Sequence, residues 1–211
     1  MPVDRWQLRQ DLVPTVCQIS SAGCKRYVSS SVPPEKLPLV TLTEFIKTNP
    51  ARRPELARVR KIARRLGDFM DLTDVQEAIV KAHVLGASSA GIQDALVIEA
   101  ERLGFISEKR GLFAQYETGG IRPDYYLKVG RSGILMEVER GKTLANNMDL
   151  LDIWKCHICR EADYLFLIIP KRRPRKSGKS ESVEARVLKR MGTFFKKANY
   201  INVEGVFVFA Y

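Results

Sequence analysis

Along the chain, apolar residues first recur every three to four positions and later gather into short runs bounded by glycine. The segment "TLTEFIKTN" reads as a helix stopped by Asn49-Pro50. In "PELARVRKIARRLGDFM", Leu56, Val59, Ile62 and Leu66 mark one helical face up to Gly67. A third helix, "TDVQEAIVKAHVL", is expected to start at Thr73 with Glu77 close behind and to end before Gly86. A fourth runs from about Gly91 to Leu103, with Ile92, Leu96, Ala100 and Leu103 as its stripe and Gly104 as its C-terminal cap. Glu99 falls within that stripe. A carboxylate there must reach water, pair with a base or face a metal, because a buried unpaired charge is costly.

Strand patterns then take over. "GLFAQYET", "IRPDYYLKV" and "ILMEVE" follow one another between glycine turns and read as a meander. "LANNMDLLDIWKCHICREA" has a helical period through Met148, Leu151, Trp154 and Ile158, and "DYLFLIIP" is apolar enough for a strand covered on both faces. "SVEARVLKRMGTFFKKAN" is helical and "VEGVFVFAY" is a last strand. From residue 88 onward the order is α-β-β-β-α-β-α-β. This predicts an α/β protein with a mixed sheet (α+β in layout), its core at 88–211. Residues 1–87 form an arm and helical region, a candidate for DNA binding or dimerisation. The arm's "SSSVPPEKLP" reads as a linker or surface segment.

Charge changes the picture. The 211 residues are 45% hydrophobic, enough for one core, yet carry a formal net charge of +11. That excess favours a polyanionic partner, with nucleic acid foremost. Much of it sits in "ARRPELARVRKIARR" and in "KRRPRKSGKS". The second cluster, bracketed by prolines and loosened by serine and glycine, is expected to be an unpacked loop whose Lys171, Arg172, Arg173, Arg175, Lys176 and Lys179 reach phosphates. The charged N-terminus "MPVDRWQLRQ" is unlike a signal peptide and no apolar run suits a membrane span, so a soluble, cytoplasmic protein is expected. Cys156 and Cys159 in "KCHIC" have zinc-like spacing, but on a helix that spacing places two small apolar side chains on one face. Cys17 and Cys24 are too widely spaced on a loop-like segment to complete a site. Reduced thiols are the expectation.

The acids are the unusual feature of so basic a chain. Asp124 lies on one strand, while Glu137 and Glu139 share a face of the next because side chains alternate along a strand. Three carboxylates brought together repel at neutral pH unless a divalent cation lies among them. Hard oxygen ligands suit Mg²⁺ or Mn²⁺, which activates water and stabilises the added charge of a phosphodiester transition state.

The pair "PD" at 123–124 followed by "EVERGK" at 137–142 resembles the PD-(D/E)xK nuclease superfamily. "MEVERGKTLANNMDLLDIW" is most similar to restriction endonucleases of the BamHI and BglII type, which carry Glu-x-Glu or Glu-x-Gln where the superfamily usually has Glu-x-Lys. The literal likeness is confined to about twenty residues, and the likeness in element order spans 88–170. It implies Asp124 and Glu137 as metal ligands, with the Val138 carbonyl completing the site. Glu139 stands where a lysine is usual. It would orient or deprotonate the attacking water, unless Lys142, or Lys155 on the following helix, supplies the missing group. Glu99 matches, by element only, the first-helix acid that some members place near the metal.

The expected function is a metal-dependent DNA endonuclease of restriction type. A homodimer is expected because one site per chain must act on two antiparallel strands. A repair, recombination or transposition nuclease of the same fold is the alternative within the enzyme class. Outside it, the alternative is a DNA-binding module with a degenerate core.

Overall fold

A computed structural model describes residues 40–47, 49–107, 112–116, 121–174 and 180–211. These form a mixed six-stranded sheet between two helical layers. In chain order the sheet strands are β1 (Thr41–Ile46), β2 (Ile106–Ser107), β3 (Tyr125–Val129), β4 (Ser132–Val138), β5 (Tyr164–Ile169) and β8 (Gly205–Ala210). Their spatial order is β1-β8-β5-β4-β3-β2. The central pairs β4–β5 and β5–β8 are parallel, and β1–β8, β3–β4 and β2–β3 are antiparallel. A separate two-stranded ribbon joins β6 (Arg172–Pro174) to β7 (Ser180–Ser182).

The strands divide their side chains by period two. From β5 and β8, Tyr164, Phe166, Ile168, Phe207 and Phe209 pack under α1 (Arg53–Met70), α2 (Thr73–Ala82) and α3 (Ala90–Leu103). Leu165, Leu167, Val206 and Val208 face α4 (Met148–Ile158) and α5 (Glu184–Phe194). All six residues of β5 are buried, as a strand covered on both faces requires. Within β4 a side chain in place of Gly133 would press on the Leu127 and Glu161 carbonyl oxygens at 2.8 Å, so the close approach of backbones there needs glycine.

Several expectations held. Helix α3 buries Ile92, Leu96 and Ala100 and ends on Gly104 at φ 93°, a left-handed cap. Helix α1 buries Val59, Ala63, Leu66 and Met70, and it runs through Gly67 rather than stopping there. Four expectations need correction. "TLTEFI" is strand β1, not a helix, because pairing with β8 overrides its weak helical pattern. Residues 112–116 of "GLFAQYET" form turns that bury Phe113, and the first strand of the meander is the short β2 upstream. In "KRRPRKSGKS", expected to be an unpacked loop, Arg172–Pro174 and Ser180 belong to the β6–β7 ribbon.

The fourth correction concerns α4. Leu151 and Trp154, the expected stripe, are 41% and 40% exposed, whereas Asp149, Asp152, Ile153, Lys155 and Cys156 are buried. Helices α1 and α2 share one core with α3, β5 and β8. No helix among the described residues is long and apolar enough to cross a membrane.

Candidate active site

At one end of the sheet, the β3–β4 register brings Tyr125 opposite Met136. One step further out it sets Asp124 beside Glu137. Like charges across a strand pair disfavour the sheet, so something must hold them. Part of the answer is Asp124 itself, whose Oδ2 accepts the Val138 amide N–H at 2.8 Å. The Gln93 side chain of α3 also hydrogen-bonds Asp124. The Val138 side chain is buried in the core under α1–α3, which leaves Glu137 on the opposite, α4 side of β4.

Helix α4 supplies the rest. Lys155 Nζ lies 2.5 Å from Glu137 Oε1 and 2.9 Å from Asp152 Oδ1, and these three side chains are 8%, 4% and 0% exposed. The ammonium also reaches the Arg122 carbonyl oxygen at 3.5 Å. Asp152 Oδ2 meets no hydrogen-bond donor among the described residues. One turn before Asp152, the carboxylate of Asp149 is held by Arg190 at 2.7 Å, tying α4 to α5. The inward face of α4 therefore carries ionic residues, Asp149, Asp152 and Lys155, beside apolar Ile153 and Cys156, while Leu151 and Trp154 turn outward.

The electrostatics follow from burial and crowding. Burial pushes Asp124 up from the usual carboxylate range, with the Val138 N–H and Lys155 pulling the other way. Glu137 is held well above that range by burial and then by Asp152, against the pull of Lys155. Burial, with Asp152 and Asp124 nearby, brings Glu139 to about 8. Asp152 is raised by burial despite Lys155. For Lys155 burial works against the charge, but Glu137 and Asp152 outweigh it and hold the ammonium above its ordinary range. Asp124, Glu137, Glu139, Asp152 and Lys155 thus sense one another as one cluster.

That cluster does not include every expected residue. Glu99 is buried on α3, but its carboxylate is shared by Arg65 at 3.3 Å and Arg102 at 3.4 Å. Of the three outcomes open to it, pairing with a base is the one realised. Lys142 is exposed, in the wall of a separate small cavity. Asp152 was missed in the sequence because the outward apolar stripe of α4 masks the opposite series 149, 152, 155–156, whose three-residue acidic spacing was the available signal.

The cysteines and the basic residues resolve separately. Cys156 and Cys159 are buried free thiols, and burial raises both above the ordinary thiol range. Cys17 and Cys24 lie outside the described residues. On the ribbon, the Arg172 guanidinium bonds Ser180 Oγ at 2.7 Å, and Arg173 lines the same cavity as Lys142. Lys171 starts the ribbon, its amide bonded to the Tyr211 carbonyl at 2.7 Å. Arg175, Lys176 and Lys179 lie outside the described residues. In the other basic cluster Arg52 pairs with Glu55 and Asp163, and Arg60 with Glu44, so part of that charge serves the fold.

Among the described residues no three His, Cys, Asp or Glu side chains stand as a ready-made metal site. The geometry gives the reason: the Lys155 ammonium sits between Glu137 and Asp152, and Asp124 is turned to the Val138 amide. Compared with known proteins, the chain matches no family model, and no curated protein matches it in sequence.

Proposed function

We propose that the chain is a metal-dependent nuclease that hydrolyses phosphodiester bonds in DNA, a restriction-type endonuclease with a PD-(D/E)xK-like core. One observation carries the reading: four carboxylates, Asp124, Glu137, Glu139 and Asp152, converge at one end of the sheet around a single ammonium, Lys155. One positive charge against four acids leaves an excess of negative charge that would favour a divalent cation, and Asp124, Glu137 and Asp152 offer the hard oxygens that suit Mg²⁺ or Mn²⁺. The unpartnered Asp152 Oδ2 is an acceptor still lacking its donor or cation. When bound, such an ion supplies Lewis-acid stabilisation of the phosphoryl oxygens and a more acidic water.

The protein's own groups then divide the work. Glu139 accepts the proton of the attacking water as the water oxygen bonds to phosphorus and the P–O bond to the leaving sugar oxygen breaks. That oxygen takes a proton from solvent. Lys155, held as an ammonium by Glu137 and Asp152, is an electrostatic partner for the negative charge that builds on phosphate and not a base. It fills the role left open by the glutamate at 139. A restriction-type enzyme would act as a homodimer on two antiparallel strands.

A specific observation favours a second reading, a catalytically degenerate DNA-binding module. The Lys155 ammonium already occupies the space between two acids. Incubation with supercoiled plasmid and Mg²⁺ separates the two. Linear or nicked product lost in Glu137→Gln supports the enzyme, and intact plasmid at saturating protein with retained binding supports the module.

A further inference from the structure

A second constellation lies just past the acidic cluster. Residues 139 and 140 are adjacent, yet the Arg140 guanidinium turns the other way and donates to the Ala87 carbonyl in the loop between α2 and α3. There it helps line a cavity of about 150 Å³ with His83, Leu85, Ala87, Lys142 and Arg173. That volume is enough for a phosphate group.

Its chemistry has one sign. Arg140, Lys142 and Arg173 bring cations from the β4–α4 loop and the β6 ribbon, and no carboxylate is among the described residues of the lining. Arg140 is only 5% exposed, its Nε has no hydrogen-bond partner, and no acid among the described residues pairs with it. A buried guanidinium without a counter-ion is costly and is normally paired. His83 forms part of the wall and supplies no cation. Its Nε2 lies 3.0 Å from the Arg172 carbonyl, which only accepts, so Nε2 carries the proton and Nδ1 is buried without a partner. The Tyr211 ring stands edge-on to the imidazole and its hydroxyl donates to the Glu139 carbonyl, which ties the cavity wall to the acidic strand end. Gly86, at φ 88°, turns the loop over the opening.

We infer that this cavity is a phosphate-binding subsite, built by Arg140, Lys142 and Arg173, that holds a phosphate of the nucleic-acid strand flanking the one placed at the acidic cluster. The source of that phosphate rests on the nuclease reading, whereas the anion site rests on the cavity alone. Arginine and lysine in a partly dehydrated pocket make charge-assisted bonds to phosphate oxygens. A phosphate seated beside the strand end would also fix the strand's register before any chemistry.

The test uses the full chain with EDTA present, so that no cleavage occurs. Inorganic phosphate is titrated against chloride at matched ionic strength, with binding read by calorimetry and by ³¹P line broadening. Saturable binding is expected in the unmodified protein. Affinity should weaken by about tenfold or more in Lys142→Gln with Arg173→Gln, two positions outside the hydrophobic core, and also in Arg140→Gln. Phosphate should compete with a labelled DNA oligonucleotide in the unmodified protein and not in the double variant. No saturable binding, or binding unmoved by all three substitutions, overturns the site. Saturable binding without competition overturns the assignment to a nucleic-acid phosphate. Loss of plasmid cleavage alone moves neither readout.

Discussion

Lys155 Nζ lies 2.5 Å from Glu137 Oε1, a contact between a helix and a strand end in which each group is more than nine-tenths buried. It makes the lysine the resident counter-ion of the acidic cluster. Replacing it by methionine removes that charge while roughly keeping the volume. Breaking a buried pair by deleting one partner costs about 3–5 kcal/mol, and acids left alone escape part of that cost by taking up protons. Urea unfolding of Lys155→Met without metal should therefore show a larger loss at pH 8 than at pH 6, and Mn²⁺ should restore more stability to the variant than to the parent. Equal losses at both pH values and no metal effect would remove Lys155 from the cluster.

Asp124→Asn keeps an oxygen for the Val138 amide while deleting a charge. Cleavage should fall by a hundredfold or more, on the order of the electrostatic effects seen at active sites, with DNA affinity retained because one negative charge beside phosphate is gone. Gel-based cleavage and anisotropy binding measured on the same preparation check both halves, and wild-type turnover in Mg²⁺ would sink the assignment.

The pH dependence of the metal-free protein has an uncommon sign. Glu139 is raised from the ordinary 4.5 to about 8, and Glu137 and Asp152 are raised too. The folded state then binds more protons than the unfolded one between about pH 4.5 and 8. This contribution is fully present below the unfolded value and is lost as pH rises through the folded one. His83 acts oppositely: burial, with Arg140 nearby, lowers it, so its contribution is lost as pH falls below about 6.5. With EDTA, Tm should rise as pH drops from 8 toward 6.5. Glu139→Gln should flatten that rise, and an unchanged slope would mean Glu139 is solvated.

Glu99 separates structure from chemistry. Its two arginine partners are more than half exposed, so Glu99→Gln should cost about 1 kcal/mol and leave the rate of plasmid cleavage unchanged. A large loss of rate with a small loss of stability would return Glu99 to the metal site.

On the ribbon, Arg172 is committed to Ser180 while Arg173 faces the cavity, so the two arginines are not equivalent. Replacing Arg173 and Arg175 by alanine should lower the slope of log affinity against log salt by about 2 without changing sequence preference. Arg172→Ala should change the slope less and the thermal stability more. A slope unmoved by the double change would assign the ribbon a structural task alone.

Much of this fold could be read from local pattern. Strands β5 and β8 announce themselves as unbroken apolar runs, and α3 shows both its stripe and its glycine cap. The acids at 124, 137 and 139 were legible because a strand's period two fixes which residues share a face. What escaped depended on tertiary context. β1 is a strand because β8 is beside it, and β2 is two residues long, below any periodic signal. In helix α4 the stripe residues Leu151 and Trp154 face outward, because the end of β4 draws Asp152 and Lys155 inward beside Ile153 and Cys156. Amphipathic reasoning assumes that the inward face is the greasy one. At a site that assumption fails first.

The strand order carries a consequence for synthesis. β8 lies between β1 and β5, with parallel neighbour β5 on one side and antiparallel β1 on the other, yet it follows both in the chain. Until it emerges from the ribosome, β1 has no sheet to join, and β5, buried throughout in the finished fold, presents one bare hydrogen-bonding edge lined with Leu, Ile and Phe. An uncapped apolar edge invites pairing with other chains. Translation therefore includes a window, open until β8 is extruded, in which β5 lacks the strand that pairs with that edge among the described residues. Chaperone dependence and the yield of soluble protein should be set there, by the rate at which the final strand is delivered.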